Sequence, residues 1–318
     1  MTDHAGIPRR TVPGTSINVS VLGFDLDPRA LGPPSSDDRT VAFLRRARAL
    51  GISTFRVPTG AGATRIERLL AASLPTGDPE VVTIGVRALS DLATESAREP
   101  TTPLDSDLEV RLRRSLETSA ARLGGNGYRI LEWRAGTGDE RVARDLEGML
   151  ARLRTERVVE AVARPISSSP ERPDSSTPDT AGSLRTGPLS LLETEPLPWL
   201  RADARSQPLG FLGLDPFAGG RLDGSRFGGT AGERRPDLPP PTVRELHREF
   251  DPVVRLGFLT ESRQRTLAQA ALQFLYYWPW VSSVLVPLPS PERLLELVDA
   301  AQRPPLTDHE IERVLALE

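Results

Sequence analysis

The spacing of apolar residues along this chain switches between two patterns at regular intervals. Short apolar runs at residues 17–27, 53–57, 81–86, 128–133, 157–163, 209–214 and 281–286 read as buried strands. Between the first two, Val41, Phe43, Leu44, Ala47 and Leu50 fall near 3.6-residue spacing and predict a helix over 37–50, closed by Gly51. The same reading predicts helices over 65–73, 106–122, 140–154, 263–277, 291–301 and 307–317. A further short run at 188–192 completes eight strands, each followed by a helix or a long loop. Alternation of this kind predicts βα units around a parallel sheet, here a single (β/α)8 barrel over residues 1–318.

Two stretches break the rhythm. Residues 165–187 are rich in Ser, Pro, Thr and Asp, and residues 218–241 are rich in Gly and end in a Pro triplet. Loops this long inside a barrel are expected to be functional or mobile, and both are expected over the barrel mouth.

Composition narrows the chemistry. All 40 residues counted as Lys+Arg are arginine, which removes Schiff-base and pyridoxal mechanisms. There is no cysteine, so thiol nucleophiles, disulfides and thiolate metal sites are excluded. His4, His247 and His309 are too scattered to suggest a metal site. A net charge of −3 argues against nucleic acid or an anionic membrane as partner. Residues 1–14 are polar and proline-interrupted, unlike a signal peptide. No run approaches the ~18 apolar residues of a membrane span. A cytoplasmic protein is expected, and arginine without lysine suggests a GC-rich bacterial coding sequence.

Four segments resemble the aldo-keto reductases. "VAFLRRARALGISTFRVPTGAGATRIERLL" at 41–70 is similar to the helix, strand and helix around that family's catalytic Asp and Tyr. Residues 104–133 are similar to the helix and strand leading to its catalytic His. "QRTLAQAALQFLYYWPWVSSVLVPLPSPERLLE" at 264–296 is similar to the carboxy-terminal cofactor segment, and "LDPFAGGRLDG" at 214–224 to the loop after strand seven. The resemblance implies the barrel fold. It does not carry the catalytic tetrad, in which Tyr protonates a carbonyl while a nicotinamide delivers hydride. The Asp position falls on Arg56, Tyr on Ala61, Lys on Val86 or its neighbour, and His on Arg134. The pair that grips the carboxamide falls on Ala163 and Arg164, and the stacking aromatic near Leu189. The first residue of the pyrophosphate loop falls on Asp215. Arg293 and Glu296 match the positions that hold the 2′-phosphate and adenine. The resemblance so read favours no cofactor, with NADPH possible as a vestige.

The residues left at the strand ends define the candidate site. Arg56, Arg134 and Arg164 would form a basic mouth for an anionic or enolisable small molecule. Glu132 lies two residues before Arg134, so the pleat puts both on one face. Glu132 is then either an acid–base group or the partner of Arg56 or Arg134 in a structural ion pair. Asp25 and Asp27 end the first strand as acid–base candidates or loop caps, and Asp215 is a substrate contact or a cap. The leading reading is a cofactor-independent biosynthetic enzyme for elimination, isomerisation or cyclisation of a small or polyketide-like metabolite. The alternatives are a non-catalytic protein that binds a metabolite or protein partner, or one that keeps NADPH as a structural or sensory ligand. An open polar cavity would favour the catalyst, and arginines plugging the barrel would favour the binding protein.

Overall fold

The computed structural model describes residues 6–60, 62–88, 106–134, 140–166, 183–225, 250–262 and 264–317, with backbone alone at 106–107, 140–145 and 183. The chain opens with an antiparallel hairpin, β1 (Arg9–Thr11) and β2 (Asn18–Ser20). Eight parallel strands follow: β3 (Leu22–Asp25), β4 (Thr54–Val57), β5 (Val82–Ala88), β6 (Ile130–Arg134), β7 (Ala161–Pro165), β8 (Ser183–Pro188), β9 (Leu209–Leu214) and β10 (Val281–Pro287). β10 bonds to both β9 and β3, so the sheet closes as a barrel. The helices are α1 (Asp37–Ala49), α2 (Ala63–Ser73), α3 (Ser106–Arg122), α4 (Glu140–Thr155), α5 (Leu197–Ser206), α6 (Leu267–Tyr276), α7 (Pro291–Gln302) and α8 (Asp308–Leu315). The (β/α)8 expectation is borne out.

Two apolar clusters hold the barrel. The larger lies between strands and helices and includes Phe24, Phe55, Trp133, Phe211 and Phe274. The smaller fills the barrel and includes Ile84, Ile130, Ala163, Leu184, Leu212 and Leu285. Val12, Ile17 and Val19 of the hairpin segment join that inner cluster, so the hairpin plugs the amino-terminal end.

The differences from the sequence reading have local causes. The apolar run 17–27 splits at Val21, because its first half pairs back with β1 before β3 enters the barrel. The sixth barrel strand is Ser183–Pro188, ahead of the expected 188–192. Its Arg185 and Thr186 disguise it, and a strand that registers with both β7 and β9 tolerates them. The helix expected over 263–277 begins at Leu267, where Thr266 and Gln269 form a capping box. Helix α5 was hidden by its prolines, which are tolerated in a first turn. Most of the two long loops, residues 167–182 and 226–241, lies outside the described residues, as does Ala61. No helix among the described residues is long and apolar enough to cross a membrane.

Candidate functional site at the carboxyl end of the barrel

In a barrel of eight parallel strands, each interior level is filled from alternate strands. The strand registers place Arg56 of β4, Glu132 of β6, Thr186 of β8 and Leu285 of β10 on one level. The next level toward the carboxyl ends holds Asp25, Val86, Pro165 and Leu214. Arg134 follows Glu132 on the same face of β6, beyond that level.

On this frame Arg56 is clamped. Its Nε donates to Glu132 Oε2 at 2.7 Å and its Nη2 to Glu132 Oε1 at 2.8 Å, while Nη1 donates to Asp25 Oδ1 at 2.7 Å. Arg134 Nε adds a longer bond of 3.3 Å to Glu132 Oε1. Arg56 is 4% exposed and Glu132 1%, whereas the Arg134 side chain is 51% exposed and reaches the mouth. Two acids and two arginines leave the cluster neutral. Burial alone would lower the Arg56 pKa, but Glu132 and Asp25 outweigh it and raise the value, so Arg56 is a permanent cation. Both oxygens of Glu132 are taken by guanidinium N–H groups. The Thr186 hydroxyl on the same level is buried and has no hydrogen-bond partner among the described residues.

Other sequence candidates fall elsewhere. Ala163 faces the barrel interior, so Arg164 turns outward and pairs with Glu147 of α4. Arg164 does not join the mouth cluster, and the parity of β7 was the signal that could have shown it. Arg87, the neighbour of Val86, also faces outward, donating to Ser115 and Ser119 of α3 and lying over the Tyr128 ring. Asp27 caps the short turn Pro28–Leu31, accepting from Arg29 N at 2.8 Å. Leu189 is fully buried.

A second group of charges lies at the rim after β8 and β9. Asp215 has φ 46, and both of its carboxylate oxygens accept from the Gly219 amide at 2.9 Å. Arg221 pairs with Glu193 at 3.1 Å, and Arg293 of α7 lies 3.6 Å from Asp223. Arg293 Nη1 also bonds Glu296 Oε2 at 3.1 Å, one turn along α7. Burial raises the pKa of Asp215 and of Glu193, and the Asp215 charge adds to the rise at Glu193. The sequence pointed to Asp215, Arg293 and Glu296 but not to Glu193, Arg221 or Asp223, which meet only through tertiary contact.

No protein-family model and no curated protein matches the sequence. Solved structures do match. An aldo-keto reductase from Bacillus halodurans in its holo form is 18% identical, covers 98% of this chain and 96% of its own, and gives a TM-score of 0.68. A glycerol dehydrogenase from Gluconobacter oxydans is 17% identical, with 100% and 95% covered and a TM-score of 0.67. A thermostable aldo-keto reductase in complex with the inhibitor epalrestat is 13% identical, with 98% and 100% covered and a TM-score of 0.68.

These structures correct the expectation of a site that works without a cofactor. The fold is shared from end to end with proteins named as reductases and a dehydrogenase, one of them solved in a holo form. Of the positions where the resemblance implies a nicotinamide nucleotide, those at one end keep polar side chains. Arg293 and Glu296 stand side by side on α7, whose amino-terminus is capped by Ser290. At the other end Ala163, the outward-turned Arg164 and the buried Leu189 offer no carboxamide donor or acceptor and no stacking ring. The likeness is one of architecture, and this chain has the fold of the aldo-keto reductases.

Proposed function

We propose that this protein is a redox-silent binding protein on the aldo-keto reductase fold, holding a phosphorylated nicotinamide nucleotide by its adenosine end without reducing carbonyls. One observation carries the redox-silent reading. Of the positions where the resemblance puts the tetrad's Asp, Lys and His, none keeps its residue type, and the Asp position, Arg56, is locked to Glu132 and Asp25 in a neutral cluster. Arginine does not release a proton in a protein, so Arg56 and Arg134 cannot stand in for a tyrosine acid. The acid–base reading of the sequence needs Glu132 or Asp25 directed at a substrate, and both instead accept from Arg56.

The nucleotide reading is supported by Arg293, whose side chain stays 31% exposed in the first turn of α7. A helix amino-terminus and a guanidinium fork both favour a phosphate. The nucleotide would be a bound ligand, and the chain's own residues would grip and orient it.

The test has two parts. NADPH oxidation with a panel of aldehydes and ketones is expected to stay at the protein-free rate. Calorimetry with NADP⁺ is expected to show binding that Arg293→Ala weakens about tenfold, the loss of one charge-assisted contact. Turnover proportional to protein would refute the first part, and equal affinity of wild type and Arg293→Ala the second.

A further inference from the structure

A cavity of about 440 Å³ opens between the turn after β8, the helical stretch that ends at Arg255, and the last turn of α8. Each wall contributes a buried aliphatic side chain to its lining: Leu191, Leu256 and Val314. The outer walls are fixed by the chain's own contacts. The Arg313 guanidinium of α8 lies 3.8 Å from the centre of the Phe258 ring, and Arg265 pairs with Glu310 of α8 at 3.0 Å. The Tyr277 hydroxyl donates to Asp308, at the start of α8, at 2.9 Å. The recess is therefore preformed, and its volume falls in the range of small-molecule sites, about 300–1,000 Å³.

Two charges share this lining. Glu195 and Arg255 are both exposed and come from different walls, and among the described residues neither makes a hydrogen bond or ion pair with the other or with a third group. Glu193, two positions before Glu195, is by contrast paired with Arg221. An unpaired anion and an unpaired cation beside an apolar wall are complementary to a molecule with a carboxylate, an ammonium and an apolar body. A carboxylate alone would face Glu195 as well as Arg255, and an amine alone would meet the reverse conflict.

We propose that this recess binds an apolar amino acid as its zwitterion. Its carboxylate lies on the Arg255 guanidinium, its ammonium on Glu195, and its side chain against Leu191, Leu256 and Val314. The Thr194 hydroxyl in the same lining is a further polar contact. None of these residues belongs to the Arg56 cluster or to the Arg293–Glu296 pair, so the site stands or falls independently of the nucleotide reading.

The experiment titrates the protein with L-phenylalanine, N-acetyl-L-phenylalanine, L-phenylalaninamide and glycine, followed by ligand-observed NMR. Because both charges are exposed, each contributes modestly, and phenylalanine is expected to bind in the millimolar range. The two blocked forms should bind about threefold to fivefold more weakly, and glycine more weakly still. Arg255→Gln and Glu195→Gln break no contact within the chain, so both should fold as the wild type does. Arg255→Gln should weaken phenylalanine by a similar factor yet leave the amide unchanged, since the amide has no carboxylate to lose. Glu195→Gln should weaken phenylalanine yet leave the N-acetyl form unchanged. No saturable binding of phenylalanine overturns the proposal, as does glycine binding as tightly. Equal losses for phenylalanine and its amide in Arg255→Gln would overturn the placement of the carboxylate, and the proposal with it.

Discussion

Arg10 of β1 donates through Nη2 to the carbonyl oxygen of Tyr276 at 2.8 Å, joining residues 266 positions apart. Its Nη1 reaches the carbonyls of Trp278 at 2.9 Å and Val281 at 2.5 Å. One guanidinium thus satisfies the end of α6 and the start of β10, where helical carbonyls lack partners of their own. Arg10→Ala should destabilise the protein by about 2–4 kcal/mol, given three charge-assisted bonds to buried carbonyls. Arg10→Lys should restore little, because an ammonium lacks the planar fork. Urea denaturation of the three proteins checks this, and full rescue by lysine would show that charge alone matters.

The cluster of Arg56 and Glu132 should show the asymmetry of buried ion pairs. Glu132→Gln leaves a buried guanidinium short of its main partner and is expected to lose about 3–5 kcal/mol. The double variant Arg56→Met, Glu132→Leu removes both charges and should lie much closer to wild type. A double-mutant cycle by chemical denaturation measures the coupling, and additive single effects would contradict it.

The acid side of the stability profile should depend on Asp78. Burial would raise its pKa, but hydrogen bonds from Arg48 and the Glu80 amide, with the Arg48 and Arg9 charges, lower it below 3.8. A depressed carboxylate contributes stability above its unfolded pKa and loses it as pH falls through the folded one. Thermal melts between about pH 5 and about pH 2 should therefore fall less steeply in Asp78→Asn than in the wild type. Parallel curves would mean that the Arg48 pairing contributes nothing.

Gly23 tests how tightly the barrel interior is filled. A Cβ there would stand 2.6 Å from Leu285 Cδ2 and 2.7 Å from the Thr54 carbonyl oxygen. That carbonyl belongs to the neighbouring strand β4 and cannot retreat without disturbing the sheet. Gly23→Ala should cost about 1–3 kcal/mol, in the range of overpacked cores. Gly257→Ala, where nothing among the described residues lies within 4 Å, should be near neutral and serves as the control. Equal melting temperatures for the two variants would show that the barrel can yield at Gly23.

The barrel was legible because strand and helix leave different hydrophobic periods. Runs such as 209–214 and 281–286, buried on both faces, fall within a residue of the strands that form. Ser183–Pro188 was not legible, since a strand carrying Arg and Thr is recognised only by the neighbours that register with it. The pleat rule placed Glu132 and Arg134 on one face, and they bond at 3.3 Å. Applied to β7, the same rule separates Arg164 from Ala163, and the structure sends Arg164 to Glu147.

By itself the sequence determined the alternation of elements, the absence of lysine and cysteine chemistry, and the arginines standing where a resemblance expects Asp and His. Those depend on residue type and spacing along one chain. Only the tertiary structure decided whether those arginines line an open mouth or plug it. Arg56 and Glu132 lie 76 positions apart, and no local pattern records that closing eight staggered strands brings them to one level. The same closure joins Asp215, Glu193 and Arg293 at the rim. Periodicity is a property of neighbours along the chain, whereas charge pairing inside a barrel is set by strand register and shear.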